Sequence, residues 1–184
     1  MELTGIILAG GQSKRMGSDK GLMKFRGKPL VEYAIDLLLP VTDRILISAN
    51  NREYLGFGFP VVEDIVKGKG PAGGFLSALK ASNTGHNLIV SCDMPFLNRE
   101  AADLLTKNIH GKSNYVPIHK KGIEPLFGVY HKNFCDTIET GLSKGIFKLR
   151  SLIDNFQTQY IDFNCLIDKY PDLFRNFNYL SDLD

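Results

Sequence analysis

The sequence predicts an α/β fold built on a mostly parallel sheet with helices on both faces. Three observations predict it. Short apolar, β-branched runs alternate with segments of helical periodicity. Those runs are apolar throughout instead of alternating with polar residues, as strands buried on both faces are. Each early run then stops on glycine, amide or acid, the residues that turn a chain and bind polar ligands.

Thr4 to Leu8 reads as a buried strand that runs into Ala9-Gly10-Gly11. Pro29 opens a helix through Leu39, where apolar residues recur at helical spacing, and Pro40 closes it. Asp43 to Ser48 is the next strand, followed by Ala49-Asn50. Phe59 to Val62 is a third, ending at Glu63-Asp64. A Gly/Lys loop over 68–74 leads into a helix from Phe75 to Ala81. Asn87 to Ser91 is the fourth strand and ends at Cys92-Asp93. Asn98 caps a helix through Asn108, with Glu100 and Asp103 near the positive end of its dipole. Strands at Tyr115–His119 and Leu126–Tyr130, helices at Asn133–Ser143 and Lys148–Asn155, and a strand at Gln159–Phe163 complete the pattern.

The chain has 184 residues, within the ~100–200 of one domain, so residues 1–184 are expected to form a single domain. Its 22 Lys+Arg against 20 Asp+Glu leave a net charge of +2, which gives no bulk attraction for nucleic acid. Cys92, Cys135 and Cys165 are widely spaced, fitting reduced thiols in a cytoplasmic protein better than a disulfide framework. No apolar run approaches the roughly 20 residues of a membrane helix.

In a parallel sheet, ligands bind beyond the carboxyl ends of the strands. Those ends carry Gly10-Gly11, Asn50, Asp64 and Asp93, the hardware for a polyphosphate and a hard cation. Gly10 and Gly11 let successive N–H groups converge on an anion. Lys14, Arg15 and Lys20 follow within the same loop. Each cation about 4 Å from a phosphate oxygen gains about 4 kcal/mol at an effective dielectric near 20. Asp93, presented at a strand end, suits Mg²⁺, which takes one or two carboxylates plus substrate phosphates. Asp64 fits a weaker version of that role, with Glu63 as its competitor.

Two lookalike motifs fail. Gly21 to Pro29 is one residue too long for a phosphate-binding Walker loop and has Pro where Ser or Thr must hold the metal. Gly68 to Gly73 spells G-x-G-x-x-G but does not follow its strand directly. His86, His110, His119 and His131 are far apart in sequence and read as solvated surface residues. Ser13 and Ser91 have no evident base partner, so covalent nucleophilic catalysis finds no support.

Leu8-Ala9-Gly10-Gly11-Gln12-Ser13-Lys14-Arg15-Met16-Gly17-Ser18-Asp19-Lys20-Gly21-Leu22, then Gly27-Lys28-Pro29-Leu30, resembles the signature of the molybdenum cofactor guanylyltransferase family. Ser48-Ala49-Asn50, Glu63-Asp64 with Gly70-Pro71-Ala72-Gly73-Gly74, Ser91-Cys92-Asp93-Met94-Pro95, Glu124-Pro125-Leu126-Phe127 and Phe174-Arg175-Asn176-Phe177-Asn178 resemble further elements of that family. The resemblance implies a Rossmann-like three-layer sandwich of the nucleotide-diphospho-sugar transferase type. It implies transfer of GMP from Mg²⁺-bound GTP to molybdopterin with release of pyrophosphate. Leu8, Ala9, Gly10, Gly11, Lys20, Asn50, Asp64 and Asp93 would hold the nucleotide, and Asp93 the Mg²⁺. Arg15, Lys20 and Asp93 would stabilise the transferring group, and Asn176 and Asn178 would face the acceptor. Protein partners in cofactor delivery would be compatible with that role, and neither nucleic acid nor membrane is implied. A relative using CTP or a sugar or polyol phosphate, and a non-catalytic nucleotide-binding module, share the same motif set.

Overall fold

The computed structural model describes residues 2–9, 19–65, 71–107 and 109–177. Strand β1 (Leu3–Leu8) is followed by a 3-10 turn (Lys20–Leu22) and a small hairpin of β2 (Lys24–Phe25) and β3 (Lys28–Pro29). Then come α1 (Leu30–Leu38), β4 (Arg44–Ser48), a 3-10 helix (Arg52–Phe57), β5 (Val61–Val62), α2 (Pro71–Ala81) and β6 (His86–Ser91). The second half holds α3 (Arg99–Thr106), β7 (Asn114–His119), β8 (Gly122–Ile123), β9 (Phe127–His131), α4 (Phe134–Ser143), α5 (Leu149–Ile153), β10 (Thr158–Asp162) and α6 (Asn164–Lys169).

The main sheet has the order β10-β7-β9-β6-β1-β4-β5, with β8 paired to β7. β1 lies between β4 and β6 and is parallel to both. β5 continues the parallel run beside β4. β9 is inserted antiparallel between β6 and β7, and β10 closes the far edge parallel to β7. The expected mostly parallel α/β sheet is therefore present, with β9 reversed near its middle and the short β8 antiparallel to β7. β7 and β8 join through a two-residue turn, and Gly122 takes a positive φ of 120° there, which other residues rarely adopt.

Successive side chains of a strand point to opposite faces, and the sheet's two cores follow from that alternation. Ile7, Ile47, Leu88, Val90 and Val129 pack with α1 and α3 on one face. Ile6, Ile89, Val116 and Tyr130 pack with α2, α4 and α5 on the other. This is the three-layer arrangement the sequence implies. A third cluster, Phe25, Leu30 and Phe177, attaches the hairpin and the tail to α1.

Several boundaries differ from the sequence reading. α2 begins at Pro71, four residues before Phe75, so Gly73 and Gly74 are helical despite their low propensity. β5 is only Val61–Val62, although Pro60 contributes a carbonyl to Ile47. Pro29 stands in the N-cap position and α1 starts at Leu30. Asn98 caps α3 as expected, its side chain accepting the Ala101 N–H at 3.0 Å. No helix of the described residues is long and apolar enough to cross a membrane. Cys92, Cys135 and Cys165 are all free.

Candidate active site

Register places the expected residues on one edge. Leu8 is level with both Ser48 and Ser91, and Ser48 is level with Val62. The residues that follow, Ala9, Asn50, Asp64 and Asp93, therefore all leave the sheet on the same side. The ladder already uses the Leu8 carbonyl, which accepts from Cys92 N–H at 3.1 Å, and the Ala9 N–H, which donates to Ser48 at 2.9 Å. Leu8 and Ala9 thus fix the point from which the chain enters its glycine loop. Gly10, Gly11, Lys14 and Arg15 lie outside the described residues, as does Asn178.

The two acids occupy different parts of this edge. Asp93 follows β6 and Asp64 follows β5, with β1 and β4 between them. Three steps of ~4.8 Å separate those strands by roughly 14 Å, too far for both carboxylates to hold one ion. Asp64 instead forms a reciprocal clasp with Asn50. The Asn50 amide donates to Asp64 Oδ2 at 3.0 Å, and the Asp64 N–H donates to Asn50 Oδ1 at 3.0 Å. Asp64 Oδ1 is buried without a hydrogen-bond partner. It also sits 2.9 Å from where a Cβ on Gly74 would stand, and Ser48 Oγ is 3.1 Å from that point. Glycine at 74 lets α2 close onto the ends of β4 and β5. Glu63 is exposed.

Lys20 and Asp93 meet directly, with Nζ 3.0 Å from Oδ2. Both side chains are mostly buried, at 19% and 15% exposure. The Ser91 hydroxyl donates to the other oxygen, Oδ1, at 2.6 Å. Asp93 is thereby held from both sides with its face at the sheet edge. Among the described residues no cluster of three or more His, Cys, Asp or Glu could cage a metal. That donor set fits a hard divalent cation carried by one carboxylate and completed by substrate phosphates.

Lys20 itself is placed by the residues on either side. Asp19 caps the 3-10 turn by accepting the Gly21 N–H at 3.3 Å. The same Asp19 oxygen accepts the hydroxyl of Tyr54, a fully buried residue of the helix Arg52–Phe57. Burial raises the Tyr54 pKa far above its ordinary value, with further contributions from Cys92 and the Asp19 hydrogen bond. Burial likewise pushes the Cys92 thiol up, so Cys92 is an inert packing group here.

The tail completes the opposite wall. The Phe177 N–H donates to the Asp93 carbonyl at 2.9 Å, and the Phe177 ring packs edge-on to Phe25 at 4.7 Å. The adjacent Asn176 has a buried Oδ1 with no partner. Glu124, just before β9, pairs with His119 at 2.9 Å, and His119 stacks on Phe174 of the tail.

Three of the four histidines depart from the expected solvated role. His86 and His131 are buried, paired across β6 and β9, with ring centroids 4.9 Å apart. His119 is closed in by Glu124 and Phe174. Sequence spacing misses the first pair because the antiparallel insertion of β9 creates it. Ser91, Asp19 and Tyr54 join the hydrogen bonds around Lys20 and Asp93, and residue-type reasoning passed over them. The i, i+2 relation of Ser91 to Asp93 and the place of Asp19 beside Lys20 were the available signals for two of them.

The model of the MobA-like NTP transferase domain matches residues 5–160. A molybdenum cofactor guanylyltransferase from Vibrio vulnificus is 36% identical over 178 residues, covering 94% of this chain and 89% of its own. A probable molybdenum cofactor guanylyltransferase from Flavobacterium johnsoniae is 34% identical over 161 residues, covering 87% and 85%. The crystal structure of molybdopterin-guanine dinucleotide biosynthesis protein A from Archaeoglobus fulgidus superimposes with a TM-score of 0.79. That match covers 98% of this chain and 94% of the other at 23% identity, and it speaks for the fold alone.

Proposed function

We propose that this chain, which belongs to the MobA-like NTP transferase family, transfers GMP from Mg²⁺-bound GTP to molybdopterin and releases pyrophosphate. Membership makes it a nucleotidyltransferase; base, acceptor and metal are our reading. The Lys20–Asp93 pair at the shared strand edge carries it, because it sets a cation and a metal-competent carboxylate side by side. The likeness to guanylyltransferases over most of the chain supports the choice of base and acceptor.

The acceptor's phosphate is already a nucleophile, so the chain has to supply alignment and charge neutralisation instead of a strong base. A phosphate oxygen of the acceptor forms a bond to the α-phosphorus. The bond to the bridging oxygen breaks, and pyrophosphate leaves with the electron pair. Lys20 stabilises charge on the transferring group, together with Arg15 and the Gly10 and Gly11 amides of the loop. Asp93 would hold Mg²⁺, which would supply charge neutralisation on the phosphate oxygens. At the other side of the edge, Asn50 and Asp64 contact the nucleoside, the orphaned Asp64 Oδ1 accepting an N–H or O–H donor. Asn176 and Asn178 are the acceptor-side residues in this reading, supported by the unpartnered Asn176 Oδ1 and by the bond of the next residue, Phe177, to the Asp93 carbonyl.

Pyrophosphate release measured with GTP, CTP and UTP, each with and without molybdopterin and Mg²⁺, tests this. Release is expected with GTP and only when both acceptor and metal are present. Faster release with CTP, or with a sugar or polyol phosphate as acceptor, overturns the specificity. Tight GTP binding without release under any acceptor leaves a binding module. Replacing Lys20 by Ala should lower kcat/KM at least about ten-fold, or ~1.4 kcal/mol of transition-state stabilisation. An unchanged value removes Lys20 from the site.

A further inference from the structure

We propose that Tyr54 is a positioning residue for Lys20, acting through Asp19, and that its hydroxyl sets the affinity for the nucleotide; this rests on Lys20 being a phosphate contact. Tyr54 lies between β4 and β5, far in sequence from the loop it supports. Its ring is fully buried, and a buried hydroxyl needs a partner. The partner is the Asp19 carboxylate, with the Ala9 carbonyl 3.4 Å away. Because its pKa is driven up, the phenol stays a donor throughout the working pH range. Asn51 approaches the other Asp19 oxygen at 3.5 Å.

Gly21 shows how closely the strap lies on this floor. A Cβ there would collide with the Tyr54 hydroxyl and stand 3.2 Å from Cys92 Sγ. Lys20 is therefore the residue between two anchored neighbours, Asp19 bonded to Tyr54 and Gly21 seated on Tyr54 and Cys92. A lysine head on a flexible four-carbon stem is placed only as well as its backbone is. Misplacement on the order of 1 Å is enough to cost about 10²-fold in a site of this kind. A ring that served packing alone would work equally well as phenylalanine.

The experiment is a double-mutant cycle on Mg²⁺-bound GTP affinity, with thermal unfolding as the check on folding. Tyr54→Phe should weaken binding about ten-fold, equivalent to ~1.4 kcal/mol. In the Lys20→Ala background the same change should cost less than about two-fold, because the group it positions is gone. Asp19→Ala should behave in the same way, which keeps the inference testable if Tyr54→Phe fails to fold. Wild-type affinity in Tyr54→Phe overturns the inference. So does an undiminished loss in the Lys20→Ala background, which would make Tyr54 a general support of the fold. A wild-type chain that binds GTP but transfers nothing to molybdopterin overturns the acceptor reading and leaves this coupling intact.

Discussion

The two ends of the β1–β6 region are both polar, and they are polar in opposite ways. At the carboxyl end of the parallel strands stand ions at the edge: Lys20, Asp64 and Asp93, with one carboxylate oxygen left unpaired. At the other end Thr4, Ser82, Thr84, His86, Asn87, Asn114 and His131 are buried, and their hydrogen-bonding groups are mostly satisfied by one another or by backbone. Neutral polar groups can be sunk into a core when they are paired, whereas charges need water, a counter-ion or a ligand. The buried end also specifies pairing. Asn114 Oδ1 accepts the His131 N–H at 3.0 Å, and the Asn87 amide reaches the Tyr130 carbonyl at 3.4 Å. These bonds tie β9 between β6 and β7. One end of the sheet sets the fold's register and the other presents the charged groups of the proposed site.

Substitutions at the two ends should separate activity from stability. Asp93→Asn keeps the shape of the side chain and removes its charge. It should lower kcat/KM by about a hundred-fold or more, or ~2.7 kcal/mol, in a variant whose thermal unfolding shows it still folded at the assay temperature. Wild-type turnover in that variant would break the metal assignment. Thr84→Val is the opposite case. The Thr84 hydroxyl lies 2.8 Å from both Thr4 Oγ1 and the His86 carbonyl, so its loss strands buried partners. Unfolding free energy should fall by about 1–3 kcal/mol with turnover of the folded enzyme unchanged. A variant as stable as the parent would show that this cluster does not hold the strands.

The chemical end was the more legible of the two in the sequence. A strand that stops on Gly, Asn or Asp announces its own turn, and in a parallel sheet those turns share an edge. Local patterns therefore place Asn50, Asp64 and Asp93 at one edge, as the register of the strands does. The reversed strand was not legible. Phe127–His131 is buried throughout, like a parallel strand, and its direction depends on hairpin β7–β8 and on partners elsewhere in the chain. The early start of α2 was hidden because Gly73 and Gly74 argue against a helix, yet only glycine at 74 clears Asp64 and Ser48. Tyr54 stands in no motif, and residue type alone cannot reveal where a buried hydroxyl points.

The smallest expected effect probes whether the buried end must stay uncharged. Desolvation lowers the pKa of His86, with His131 adding to it. Desolvation, with Lys112, lowers that of His131 too. For a base whose folded pKa lies below its unfolded value, the unfolded chain takes up protons first. Stability is then fully present above the unfolded value of about 6.5 and declines as pH falls through the folded one. His86→Phe removes one titrating ring and its unpartnered Nε2 while keeping an aromatic against Tyr115. Thermal unfolding of the variant from about pH 7.5 to 5 should show a shallower loss of Tm than the parent, a difference of a few degrees at most. Parallel curves would mean that the pair tolerates a proton when folded, and that its neutrality is incidental to the contrast between the two ends.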